Sequence, residues 1–123
     1  MFSVDANEVI LYVEDQDRAR TFYIALLAIQ PSLDVPGMTE FDLGGMTLGL
    51  MPQDDILQLL PNLQAATGQR CELYLRRPEA EAMLGRLIEA GGRLVSPLQP
   101  RSWGENVGYG LDPDQNVIAL AAR

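Results

Sequence analysis

Histidine is absent from this sequence, lysine is absent too, and cysteine occurs once, as Cys71. Without histidine there are no Ser-His or Cys-His nucleophile pairs, no imidazole metal sites and no imidazole general base. Without lysine there is no Schiff-base chemistry and no phosphate-loop lysine. Acid–base work falls to carboxylates, tyrosines or the single thiol. Any metal would rest mainly on oxygen donors, which suit magnesium, calcium or manganese. A lone cysteine forms no internal disulfide and suits a reducing cytoplasm. With acidic Glu72 beside it and no histidine to activate it, Cys71 is not expected to act as a nucleophile. No apolar run approaches the ~20 residues of a membrane span. No basic start followed by an apolar stretch marks a secretory signal.

Basic charge is scarce as well. Nine arginines stand against 17 acidic residues, for a net charge of −8. Phosphate backbones need a positive surface, so a nucleic-acid partner is not expected. An acidic surface favours a cationic ligand over an anionic one, and it also serves solubility. At 123 residues, 47% of them hydrophobic, the chain suffices for one domain with a real core.

The order of elements is legible. "NEVILYVED" alternates as a strand, with Val9, Leu11 and Val13 on one face and Glu8, Ile10 and Tyr12 on the other. Asp15 is placed to cap a helix over "QDRARTFYIALLA", with Ala19, Phe22, Leu26 and Leu27 at helical spacing and Pro31 as its stop. "SLDVP" predicts a short edge strand. "MTEFDL" and "MTLGLM" predict a hairpin through Gly44-Gly45, which supply the positive φ of a two-residue turn. Ile56 to Leu60 predicts one or two helical turns before Pro61 within a linker. "CELYL" is a strand. "PEAEAMLGRLIEA" is a helix with Pro78 in its first turn and Gly91-Gly92 as its stop. "RLVSPL", "NVGYGLD" and "NVIALAA" complete the second set, the last two as a hairpin through Asp112-Pro113-Asp114-Gln115. The chain thus reads strand-helix-strand-strand-strand twice. Laying Glu8 on Glu72 also lays Asp15 on Glu79. This gives a module over 1–52, a linker over 53–70 and a module over 71–123.

Three stretches in order, "VILYVEDQDRARTFYIALLAI", "ELYLRRPEAEAMLGRLIEAGG" and "WGENVGYGLDPDQNVIAL", resemble the vicinal-oxygen-chelate superfamily of glyoxalases, bleomycin-resistance proteins and extradiol dioxygenases. In the last, Gln115 stands where the family usually has glycine. The resemblance implies an α+β fold of two βαβββ modules whose curved sheets form a cup. It also implies four ligand seats, which fall here on Glu8, Gly49, Glu72 and Ala119. Two seats are carboxylates, and two carry no donor side chain. That set is poor for zinc, nickel or iron, so no metal and no cofactor is expected.

The expected ligand-binding residues are Glu8, Tyr12, Glu72, Tyr74, Trp103 and Tyr109. Strand alternation puts Glu8 with Tyr12, and Glu72 with Tyr74, on the polar faces. Trp103 lies on a loop, where binding residues concentrate. Each also has a plainer reading: glutamates in water or paired with Arg70 or Arg76, aromatics in the core. The function expected from the resemblance is metal-independent binding of an aromatic or cationic small molecule, as in the bleomycin-resistance branch and antibiotic sequestration. The partner expected is a second copy in a cytoplasmic homodimer, with neither nucleic acid nor membrane bound. The alternatives are a lyase, isomerase or dioxygenase with atypical oxygen ligands, a metal-free enzyme using Glu8 or Glu72 as base, and a non-catalytic interaction domain.

Overall fold

A computed structural model describes residues 7–66 and 68–123. Two four-stranded sheets carry the fold. The first has strands β1 (Glu8–Val13), β2 (Leu33–Val35), β3 (Met38–Asp42) and β4 (Thr47–Pro52) in the order β1-β4-β3-β2. The second has β5 (Glu72–Arg77), β6 (Arg93–Pro100), β7 (Asn106–Leu111) and β8 (Val117–Ala122) in the order β5-β8-β7-β6. Helix α1 (Gln16–Leu27) follows β1, α2 (Gln53–Leu59) follows β4, and α3 (Ala80–Glu89) follows β5. In each sheet the first strand runs parallel to the last, and the remaining pairs are antiparallel. The fold is α+β, built of two similar βαβββ modules. Packing divides it into two compact units, residues up to Arg20 with Ile29–Ala65, and Thr21–Ala28 with Ala66–Arg123.

Alternation decides which face of each sheet is apolar. In the first sheet Leu11, Val13, Leu48, Leu50, Phe41 and Thr39 are buried on one face. Glu8, Ile10, Tyr12, Gly49 and Glu40 fall on the other by register. In the second sheet Leu73, Leu75, Ile118 and Leu120 form the buried face, and α3 packs there. Gly108 and Gly110 allow that approach. A Cβ at Gly108 would collide with Leu84, and one at Gly110 would lie 2.7 Å from Leu87 Cδ1. Gln16 ties the start of α1 to the β2–β3 hairpin. Its Nε2 donates to Val35 O at 2.8 Å and Thr39 Oγ1 at 2.9 Å, and its Oε1 accepts from Gly37 N at 2.9 Å.

Local signals mostly hold. Arg18 N donates to Asp15 Oδ1, so Asp15 caps α1 as expected. Gly44 and Gly45 both take positive φ in the β3–β4 turn. Helix α1 runs Gln16–Leu27, within a residue of the expected stretch, and Ala28 closes its last turn with φ 56° ahead of Pro31. One boundary differs, at the start of α3. Helix α3 begins at Ala80 behind Glu79, so Pro78 precedes the helix instead of entering its first turn. No helix among the described residues is long and apolar enough to cross a membrane.

Candidate functional site

Each module has a central row of three residues on the face opposite its buried apolar strand residues. In the first it is Ile10, Gly49 and Glu40, and in the second Tyr74, Ala119 and Tyr109. Glu8 opposes Thr47, two residues before Gly49, and Glu72 opposes Val117, two residues before Ala119. The two modules therefore share one register, and the chemistry placed on it differs.

In the first module Gly49 leaves a gap that Glu8 fills. A Cβ at Gly49 would collide with Glu8 Oε2 and lie 3.0 Å from Ile10 Cγ1. From there the carboxyl hydrogen-bonds Glu40. The Glu8 carboxyl is raised to about 7, by burial first, then by the hydrogen bond and like charge of Glu40. Much of Glu8 is nonetheless exposed, so burial acts on the carboxyl end alone. Of the two, the contact with Glu40 is the firmer cause, because water reaches the rest of the side chain. Tyr12 lies further along the same face of β1 and is 46% exposed.

In the second module small side chains form the floor and aromatic ones lie over it. Ala119, Ala121 and Val107 are fully buried, with Tyr74 and Tyr109 packed on them. Tyr74 Oη donates to Glu105 Oε1 at 2.5 Å and accepts from Trp103 Nε1 at 3.0 Å. Arg76 grips the same carboxylate through Nε to Oε2 at 2.9 Å and Nη2 to Oε1 at 3.2 Å. These bonds from Arg76 and Tyr74 hold the Glu105 carboxyl below its ordinary range. Desolvation and the bond to Glu105 push the Tyr74 phenol up, so it is a poor base. The Arg76 guanidinium lies 4.8 Å from the Tyr74 ring centroid, and that of Arg101 lies 5.1 Å from the Tyr109 centroid. One face of each ring is thus occupied by one of the protein's own cations.

Of the six expected residues, Tyr74 and Trp103 touch, Tyr109 lies across Ala119 from Tyr74, and Glu72 shares their strand face. Glu8 and Tyr12 share a face of β1. Arg76 pairs with Glu105 and not with Glu72. Glu40, Glu105 and Arg101 went unnoticed in the sequence. The one available signal was that "RSWGEN" sets an arginine and a glutamate two residues on either side of Trp103. A shallow depression of about 390 Å³ lies elsewhere, lined by Asp15, Gln16, Asp17, Arg20, Asp34, Val35 and Pro36, and holds none of the six.

The donor set does not fit a tightly held transition metal. Of the four positions that the resemblance offers as seats, Gly49 and Ala119 carry no donor, Glu8 is engaged with Glu40, and no group of three metal-ligating side chains occurs among the described residues.

Repeated βαβββ modules with such rows define a protein of the glyoxalase fold. The chain belongs to the glyoxalase-like domain family, which matches residues 6–122. It is similar in structure to a glyoxalase-related enzyme from Fulvimarina pelagi, at TM-score 0.84 and 19% identity over 97% of this chain and 88% of that one. A glyoxalase/bleomycin resistance protein/dioxygenase family enzyme from Burkholderia phytofirmans PsJN is similar at TM-score 0.84 and 21% identity, covering 97% and 98%. A glyoxalase/bleomycin resistance protein from Albidiferax ferrireducens T118 is similar at TM-score 0.75 and 25% identity, covering 95% and 97%. No functionally curated protein matches the chain.

Proposed function

We propose that this protein binds a small aromatic molecule without a metal and holds it unaltered, as a homodimer. The observation that carries this reading is Trp103. It is 54% exposed, yet its indole N–H is tied to Tyr74, which is tied to Glu105. A large apolar side chain fixed in water offers a stacking surface whose ordering cost is already met before a ligand arrives. Tyr74, Tyr109 and Glu72 extend that surface. Glu8 and Tyr12 supply a second, acidic one suited to a cationic group. The exposed lone thiol of Cys71 fits a reducing cytoplasm.

A thermal-shift screen of flat aromatic compounds, run with and without divalent metals, tests the reading. The expected result is concentration-dependent stabilisation that chelators leave unchanged. Elemental analysis of protein purified without chelators is expected to find no stoichiometric zinc, nickel or iron. About one such ion per chain would overturn the metal-free assignment. A second reading, a metal-free acid–base enzyme, draws on the Glu8 carboxyl at about 7, near the value that suits a general base. Turnover of a carbonyl substrate that is abolished in Glu8→Gln would favour it.

A further inference from the structure

Arg101 differs from the other arginine on the second open face. Its Nε donates to Val107 O at 3.0 Å, and its Nη2 donates to Val107 O, Ser96 Oγ and Pro97 O at 2.8, 2.9 and 3.0 Å. All these acceptors are neutral. The Nη1 group makes no hydrogen bond among the described residues, and no carboxylate pairs with this guanidinium there. Glu105 is not its counter-ion: that carboxylate is gripped by Arg76, and Arg123 acts on it as well. Glu72 is remote. It aligns with Val117 and Leu111, whereas Arg101 is fixed to Val107, which aligns with Ala121 and Arg76. Even from Tyr109, on whose ring the guanidinium stacks, Glu72 is two residues along the sheet and two strands across, roughly 12 Å by strand rise and spacing. Charges so far apart at a surface are largely screened at ordinary ionic strength.

From this we infer that Arg101 is an anion seat, and that the ligand of the Trp103–Tyr109 face carries an acidic group, such as a carboxylate, on its aromatic ring. The inference rests on reading this face as the ligand surface. Neutral acceptors hold one edge of the guanidinium fork and stacking on Tyr109 fixes its plane, so Nη1 stands oriented with its charge uncompensated. A ligand cation gains little here, because Arg76 and Arg101 already occupy the tyrosine rings. Locally this reverses the preference for cations that the overall charge of −8 suggests. Screening lets the near guanidinium outweigh distant carboxylates.

The test varies the ligand and leaves the protein intact. Trp103 is the only tryptophan, so its fluorescence reports on this face. The wild-type protein is titrated with 4-methylbenzoate, 4-methylbenzamide and 4-methylbenzylamine, which share a ring and differ in charge. The expected order is carboxylate first, with the amide weaker by at least about ten-fold, the size of one charge-assisted hydrogen bond. Arg101→Met should erase this preference, and Arg101→Lys should retain it. If Arg101→Met fails to fold, the wild-type series still decides. An amide as tight as the carboxylate, or an amine tighter than both, overturns the anion seat while leaving small-molecule binding standing. No response to any probe also overturns it, and the broad thermal-shift screen then judges the binding reading separately.

Discussion

Glu8 holds a proton that a solitary glutamate in water would have released. Its ordinary value is 4.5 and its folded value about 7, so the folded state binds the extra proton between these limits. Stability contributed here is full below about 4.5, falls as pH rises toward 7, and stays level above. The energy is small, because the residue is largely exposed. Among the described strand residues, the open face of this sheet carries Glu8, Glu40 and Asp42 and no arginine to offset the like charge. Glu40→Gln is therefore expected to lower the Glu8 midpoint toward the ordinary range, followed by carboxyl carbon NMR. A midpoint left near 7 would sink the pair and assign the shift to burial alone. Gly49→Ala should act in the same direction by pushing the Glu8 carboxyl out of its gap. Its stability cost should stay within about 1 kcal/mol, since the displaced group is the free end of a flexible side chain.

Among the elements, two ends carry residues in a backbone region that suits glycine. Ala28 closes α1 at φ 56°, and Gln115 sits in the β7–β8 turn at φ 71°. A left-handed conformation costs an L-residue roughly 1–2 kcal/mol, and glycine loses roughly 0.5–1 kcal/mol of that gain to its freer unfolded chain. Ala28→Gly and Gln115→Gly should each stabilise by roughly 0.5–1 kcal/mol in thermal or urea unfolding. A neutral or negative result at both would show that the strain is absent. The same turn is anchored by Asp112, which is 2% exposed and accepts from Asp114 N, Asn116 N and Asn116 Nδ2. Its fourth partner is the buried Tyr23 hydroxyl at 2.6 Å. Burial, then the Asp112 carboxylate, raises the Tyr23 phenol, so it remains a donor at any ordinary pH. Tyr23→Phe should cost about 1–3 kcal/mol, the range for a buried acceptor losing one bond. A change inside about 0.3 kcal/mol would mean that the Asn116 and Asp114 bonds suffice.

These elements also show what sequence can and cannot carry. Alternation, the Asp15 cap and the Gly44-Gly45 turn are local, and local chemistry writes them into neighbouring letters. The left-handed turn at Ala28 that closes α1 is not legible, because an alanine in that geometry has no signature, whereas Pro31 beyond it has an obvious one. Glu40 and Glu105 escaped notice for another reason. Each gains its role from strand register or a long-range contact, Glu40 beside Gly49 and Glu105 against a tyrosine 31 residues away. The matched positions of Glu8 with Glu72 and of Gly49 with Ala119 were legible because a repeat carries register from one module to the other. The residues that surround the seats follow no repeat.

At the scale of the whole molecule, the exposed leucines after β4 bear on assembly. Helix α2 buries Ile56 and leaves Leu59 68% exposed, and past its end Leu60 and Leu63 are 48% and 42% exposed. A single exposed leucine is ordinary, but three within five residues form a patch. Burying two to three leucines contributes about 3–9 kcal/mol gross, at ~1.5–3 kcal/mol per side chain. Association costs about 4–15 kcal/mol in lost freedom, so the patch can anchor a dimer only as part of a larger face of about 800 Å² per partner. The homodimer proposed above places this patch at the twofold contact, where each copy meets the same surface of the other. Replacing Leu59 and Leu60 together by glutamate, which removes the pair from both copies, should raise the dimer dissociation constant by at least about 100-fold, from the loss of at least about 3 kcal/mol of burial. The monomer should stay folded, because neither side chain belongs to the core and Ile56 remains to hold α2. Light scattering across a dilution series, with far-UV circular dichroism on the same samples, reads both effects. A wild-type protein that scatters as a monomer of 13.5 kDa at micromolar concentration would rule the dimer out. A dimer unmoved by the double substitution would place its contact elsewhere on the surface.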